Sequence, residues 1–266
     1  MKEKVAICYT CCGPTYRKTA LEKLNNLHKD DPNIYYFVIT DDKSYFKDVQ
    51  RQNFVVNELK DFYTEYPELE KFEPFLESVD AEDYAKKFID TGYKFPFSTM
   101  RFHLKQAEPF GVCNIALLGT DTDLNWSRLD DEMFSNKNRL YNAVGCWYKN
   151  LDEESMSLVA DILKEKYNLT VQERLLIFDA AGRLYIFEDV EKMVTFFEIW
   201  NDIMFTLYRE NKMRFFGGWY AMNDEYILAP IYDALGIKSP DNIDRFVNTF
   251  RVKHEPEVER FWLYNK

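Results

Sequence analysis

In Asn114-Ile115-Ala116-Leu117-Leu118 apolar side chains follow one another without alternation, and the run ends at once in Gly119-Thr120-Asp121-Thr122-Asp123. A strand with one face in water alternates polar and apolar residues. An unalternated run therefore reads as a central strand covered on both faces. Two earlier segments extend the pattern. Val5-Ala6-Ile7-Cys8-Tyr9 is strand-like, and Ile34 to Ile39 is rich in aromatic and β-branched residues before it ends in Thr40-Asp41-Asp42. Between them a Gly13-Pro14 break precedes a helix with Ala20, Leu21, Leu24 and Leu27 on one face. Strand, helix and strand in quick succession open a parallel α/β sheet, and Phe54-Val55-Val56 supplies a third short strand.

Further along, residues 61–94 are acidic and aromatic and read as helices inserted beside the sheet. Phe97 to Glu108 reads as a helix with Ser98 as its N-cap. Beyond the acid-rich turn, strands are expected at Tyr141–Trp147, Leu175–Phe178 and Leu184–Phe187. Helices are expected at Glu153–Lys166, Val190–Glu210 and Asp224–Leu235. The stripe Met193, Phe197, Trp200, Met204 and Leu207 marks the long helix as core-facing. With no repeats or linkers, one domain over residues 1–266 is expected, in two halves at 1–123 and 124–266.

The chain opens without the long apolar segment of a signal peptide or anchor, so a cytoplasmic protein is expected. Five cysteines fit that reading. Cys8, Cys11 and Cys12 lack a fourth partner at zinc-site spacing, and adjacent cysteines make poor disulfides, so all five are read as reduced and structural. A net charge of −11 disfavours wide, nonspecific nucleic-acid binding, though Arg209, Lys212 and Arg214, and later Arg245, Arg251 and Lys253, form local basic clusters.

The chemistry centres on Asp121-Thr122-Asp123. Two carboxylates one residue apart, on a turn leaving a buried strand, can project toward the same space. Hard divalent cations take oxygen ligands, and such an ion can grip the two phosphates of a nucleotide-sugar while it offsets charge growing on the leaving diphosphate. The carboxyl ends of strands are where open α/β sheets bind ligands.

Several segments together resemble glycosyltransferase family 6, the family of the blood-group A and B transferases and α-1,3-galactosyltransferase. Phe97-Ser98-Thr99-Met100-Arg101-Phe102 looks like the family's arginine-containing helix, and Asn114 to Asp123 looks like its Asp-x-Asp strand. Asn223-Asp224-Glu225-Tyr226-Ile227-Leu228 is similar to its late His-Asp-Glu segment, with Asn223 in place of the histidine. The resemblance spans about three quarters of the chain. It implies a GT-A type fold, a mostly parallel central sheet flanked by helices, and a retaining transferase that uses a UDP-sugar.

Carried over by position, Asp121 and Asp123 would bind Mn²⁺ or Mg²⁺ and through it the diphosphate, with Thr122 between them. Arg101 would contact the donor sugar or its phosphates, and Asp224 the sugar hydroxyls. Glu225 would sit beneath the reacting carbon, as nucleophile or as stabiliser of an oxocarbenium-like state. Tyr9 and Thr10 would lie beside base and ribose. The family's Gly-Gly acceptor loop has no clean match: Ala180-Ala181-Gly182-Arg183 occupies a comparable place, and Phe215-Phe216-Gly217-Gly218 is more similar in composition but lies too close to Asn223. Other metal-dependent transferases of this fold take a late third ligand, often histidine, which singles out His254.

Each residue also admits a structural role. Arg101 can pair with a surface carboxylate, Asp224 and Glu225 can complement a helix dipole, Tyr9 and Thr10 can be ordinary strand ends, and His254 can cap or face solvent. His28 and His103 read as structural. The acceptor stays open between hydroxymethylated bases of phage DNA and a bacterial surface glycan. A noncatalytic nucleotide-sugar-binding protein and a metal-dependent nuclease or phosphatase are the alternatives from other classes.

Overall fold

Six strands form one sheet in the order β3-β2-β1-β4-β7-β6. The structure, a computed structural model, describes residues 3–26, 31–65, 98–118, 122–124, 134–142, 153–171, 182–210, 224–238 and 247–249. The strands are β1 (Val5–Cys11), β2 (Ile34–Thr40), β3 (Phe54–Glu58), β4 (Asn114–Leu118), β5 (Thr122–Leu124), β6 (Arg139–Asn142), β7 (Gly182–Ile186) and β8 (Val247–Thr249). The helices are α1 (Pro14–Asn26), α2 (Leu59–Glu65), α3 (Ser98–Ala107), α4 (Glu153–Tyr167), α5 (Val190–Arg209) and α6 (Asp224–Ala234), with a 3₁₀ turn at Lys43–Phe46. The expected α/β class is what the chain adopts, a mostly parallel sheet flanked by helices.

The pairs β1–β2, β2–β3 and β1–β4 are parallel. β7 runs against both β4 and β6, so β6 points the same way as β4 and β7 alone is reversed. The remaining strands, β5 and β8, form a separate antiparallel pair.

Burial explains the unalternated runs. Val5 to Tyr9 are all buried, as are all five residues of β4. Ala6, Cys8, Ile115, Leu117, Tyr185 and Phe187 face one side, packed with residues of α3, α4, α5 and α6. Val5, Ile7, Tyr9, Cys11, Ala116, Leu118, Leu184 and Ile186 face the other, packed with Ala20 and Leu24 of α1. Apolar side chains therefore fill successive positions of the central strands, with Asn114 a buried polar exception that donates from its side chain to the Lys4 carbonyl at 2.8 Å.

On α5, Met193, Phe196, Phe197, Trp200, Ile203, Met204 and Leu207 are buried at helical spacing. The rings of Phe197 and Trp200 stack at 5.9 Å, and those of Tyr185 and Phe187 at 5.6 Å. Each large side chain so buried contributes roughly 1.5–3 kcal/mol.

Some boundaries differ from expectation. Ser98 is the first helical residue of α3 and not the cap before it. The strand expected from Tyr141 begins earlier, at Arg139, and pairs with β7 through Asn142, while 143–147 fall outside the described residues. The first inserted helix begins at Leu59. The expectations for 66–94 and for Leu175–Phe178 lie outside the described residues.

Candidate functional site

The strand order reverses at β1: the chain goes from β1 through α1 to β2 on one side, and β4 enters later on the other. Open α/β sheets leave a crevice at the carboxyl ends of the strands flanking such a reversal, because the connections depart in opposite directions. Thr10 stands at that end of β1, and Leu118 at that end of β4, beside Tyr9 in register.

Thr10 is half-buried, and its Oγ1 lies 3.4 Å from His103 Nε2. His103 comes from α3 and is only 2% exposed. Burial holds its imidazole neutral, with the pKa pushed down to about 3. Its Nδ1 is buried without a hydrogen-bond partner among the described residues. Tyr9, adjacent in sequence, points to the opposite face by strand alternation. Its ring is fully buried, with Lys23 Nζ of α1 at 5.7 Å from the centroid. Of the two residues expected beside a nucleotide, Thr10 keeps a half-buried side chain beside α3, while the Tyr9 ring is covered by α1.

The neighbouring βα turn has a different occupant. Gly13 has φ 87°, a left-handed conformation that glycine adopts without strain, and Pro14 follows at the first helical position. The Gly13 backbone N–H donates to Asp41 Oδ2 at 3.0 Å, and Arg17 pairs with the same oxygen at 2.5 Å. The Arg17 guanidinium also lies 5.6 Å from the Tyr45 ring centroid. A helix N-terminus beside a strand end is an anion site in many α/β proteins. Here a carboxylate from the end of β2 fills it. Asp42 is used locally too. It accepts from Ser44 N at 3.1 Å and Ser44 Oγ at 2.6 Å, and these bonds hold its carboxyl below the usual range.

Cys8, Cys11, Cys12 and Cys113 are free thiols. Desolvation pushes the first three up, Cys12 to about 12, which keeps them protonated and unreactive. Among the described residues no three His, Cys, Asp or Glu side chains gather as a metal site.

Other expected residues are placed by backbone alone. Arg101 lies on α3, two residues before His103. Thr122 and Asp123 form β5, in register with Thr249 and Asn248 of β8. Gly182 is the first residue of β7 and stands opposite Leu118, at the carboxyl edge of β4. Asp224 and Glu225 open α6, a helix whose buried Leu228 and Ile231 join the core shared with α4 and α5. Asp121, Ala181 and His254 lie outside the described residues.

Two features escaped the sequence reading. His103 was read as structural because a lone histidine on a helix carries no ligand signal, and only the fold brings it to Thr10. Asp41 closed a predicted strand, but nothing in its spacing announced a partner at Gly13 and Arg17.

No protein-family model matches the chain, and no curated protein matches it. Among solved structures it is similar to mouse xyloside xylosyltransferase 1 in its apo form, at 10% identity over 90% of this chain and 84% of that chain, with a TM-score of 0.45. It is also similar to the apo WbbM bifunctional glycosyltransferase, at 11% identity over 86% of this chain, with a TM-score of 0.32. This chain spans 37% of that second protein's length. Likenesses of this order set neither family nor reaction.

Proposed function

We propose that this chain is a metal-dependent, retaining glycosyltransferase of the GT-A type that moves a sugar from a UDP-sugar to an acceptor hydroxyl. The observation that supports it best is the reversal of strand order between β1 and β4. An open sheet leaves a crevice at such a reversal, Thr10 stands near the carboxyl end of β1, and Asp121-Thr122-Asp123 follows β4 in the sequence. The donor half of the site is assigned to residues 1–123 and the acceptor half to 124–266.

The filled α1 N-terminus strengthens the case for a cation. With Asp41 in the place a phosphate would take, a diphosphate at this edge needs another source of positive charge. Two carboxylates and an imidazole form a donor set that suits Mn²⁺ or Mg²⁺, Mn²⁺ better because of the nitrogen. Asp121, Asp123 and His254 are the proposed ligands. The antiparallel register of β8 supports His254. Thr249 pairs with Thr122, so β8 leaves in the direction from which Asp121 leads into β5. When bound, the ion would offset charge on the departing diphosphate.

The chain's own residues do the rest. Arg101 binds the phosphates or the sugar, Asp224 holds sugar hydroxyls, and Thr10 meets the nucleoside. The bond from the anomeric carbon to the diphosphate breaks, a bond to the acceptor oxygen forms, and the acceptor's proton departs. Glu225 either forms a transient bond to that carbon or stabilises its positive charge in a front-face reaction. Ala181 and Gly182 are assigned to the acceptor side, a reading that the position of Gly182 opposite Leu118 supports. Among the described residues no helix is long and apolar enough to cross a membrane. The acceptor is a glycan hydroxyl or a hydroxymethylated base of phage DNA.

A screen of nucleotide-sugars with Mn²⁺, read as release of free nucleoside diphosphate, tests this reading. Turnover that needs the metal and vanishes in Asp123→Asn supports it. Nucleotide binding without turnover on any donor and acceptor assigns a noncatalytic binder instead. Cleavage of phosphate esters without sugar transfer assigns a nuclease or phosphatase.

A further inference from the structure

We infer that Pro230 is a positioning residue of the transferase site: by withholding an N–H from the Tyr226 carbonyl, it loosens the first turn of α6 from the anchored remainder of the helix and leaves Asp224 and Glu225 able to move onto the donor sugar. This role rests on the transferase reading above and adds a residue that reading does not contain.

The far end of α6 is fixed at the amino edge of the sheet. Arg139 stands opposite Ile186, and Ile186 stands opposite Asn114, the first residue of β4. Just past the helix, Lys238 bridges to Arg139: its N–H donates to the Asn138 carbonyl at 2.9 Å, and Leu140 N–H donates to the Lys238 carbonyl at 3.0 Å. Higher on the helix, the Tyr232 hydroxyl lies 2.7 Å from that of Tyr185, and the Tyr232 ring stacks on Phe196 at 5.7 Å. From Tyr232 back to Asp224 the helix rises about 12 Å. From Tyr185 to Gly182, which stands opposite Leu118, β7 rises about 10 Å. A helix that leaves the amino edge beside Tyr185 is therefore long enough to bring Asp224 and Glu225 to the carboxyl edge.

Proline is the least favoured residue in a helix interior, because it has no N–H and its ring crowds the carbonyl four residues back. Pro230 is nonetheless buried inside α6, between buried Ala229 and Ile231. The carbonyl four residues back belongs to Tyr226, directly after Asp224 and Glu225. In an unbroken α-helix the carbonyls of residues 224, 225 and 226 would accept from the N–H groups of residues 228, 229 and 230. Only Leu228 and Ala229 have an N–H to give, so the acid-bearing turn has one tie fewer. Sequences break a local rule of this kind mostly at functional sites and recover the stability elsewhere. Here the Tyr185–Tyr232 contact, the buried Leu228, Ala229 and Ile231, and the Lys238 bridge hold the rest of the helix.

Pro230→Ala and Pro230→Val in the full-length chain test this. Both restore the N–H, and valine keeps most of the proline volume, so an effect shared by the two belongs to the restored tie and not to a cavity. Amide hydrogen exchange at Leu228 and Ala229 should slow by about tenfold or more, with the thermal midpoint at or above wild type. With a UDP-sugar and Mn²⁺, kcat should fall by about 10- to 100-fold, the scale of a small misplacement near the reacting atoms. UDP, which lacks the sugar, should bind wild type and variants alike by titration calorimetry. A kcat within about twofold of wild type, unchanged exchange at Leu228 and Ala229, or a kcat loss matched by lost UDP affinity and a lower midpoint would overturn the role of Pro230 and leave the transferase reading intact. A wild-type protein that releases no nucleoside diphosphate from any donor overturns both. Should one variant fail to fold, the other still decides.

Discussion

Asp123 of β5 and Asn248 of β8 are register partners across a short antiparallel pair. Separated by more than a hundred residues in the chain, they tie the acid motif that follows the central strand to a segment close to the C-terminus. The Thr10–His103 contact lies near the carboxyl end of β1, the strand next to β4.

Removing one carboxylate of the motif should remove catalysis and spare the fold. Asp123→Asn is expected to lower metal-dependent release of UDP from a UDP-sugar by about 100- to 1,000-fold, the scale seen when a preorganised electrostatic partner of a transition state is lost. Circular dichroism and the thermal midpoint should stay close to wild type. Activity retained within a few-fold would remove Asp123 from the site.

His254→Ala should weaken Mn²⁺ binding by at least about tenfold without changing the fold, since a ligand is lost from the coordination shell. Calorimetric titration with Mn²⁺ checks it, in the presence of UDP. An unchanged affinity would return His254 to a capping or surface role.

Asp41→Ala should destabilise the protein by about 2 kcal/mol, because it strips both the Gly13 N–H and the Arg17 guanidinium of a charged acceptor. Arg17 Nε is already buried without a hydrogen-bond partner among the described residues, which leaves its contact with the Tyr45 ring. Asp41→Asn keeps an oxygen for Gly13 and should lose less. Urea unfolding at neutral pH reads both. Equal stability of all three proteins would show that the βα turn needs no staple.

The buried histidine predicts a pH dependence with a definite sign. The folded state holds His103 near 3 while the unfolded chain titrates near 6.5. The unfolded state therefore binds more protons in between, and folding stability falls as pH drops through that window. The loss from this group is about 1.4 kcal/mol per pH unit, and it flattens below about pH 3. The difference in unfolding free energy between wild type and His103→Gln, followed from pH 7 to pH 4.5, should grow more favourable to the variant as pH falls. A constant difference would mean that His103 reaches solvent and protonates normally.

Much of the fold was legible because burial writes itself into composition. β1, β2 and β4 had to be apolar at successive positions, and the α5 stripe through Met193, Phe197, Trp200, Met204 and Leu207 had to follow helical spacing. What stayed hidden has physical reasons. β5 and β8 have three residues each, too few to show a period, and their stability comes from each other. Nothing in Gly182–Ile186 states that the strand runs antiparallel, because an apolar strand buried on both faces looks the same in either direction. The burial of Tyr9 was not legible, since alternation assigns opposite faces to Tyr9 and Thr10 but does not say which face α1 will cover. Thr10 and His103 meet only once α3 lies against the sheet.

The most direct measurement is anomalous diffraction from a crystal soaked with MnCl₂ and UDP, collected at the manganese edge. The account predicts an anomalous peak within coordination distance of carboxylate oxygens of both Asp121 and Asp123, bridging to the diphosphate. A crystal with UDP bound but no manganese at those carboxylates, or with both side chains turned away from the nucleotide, would contradict it.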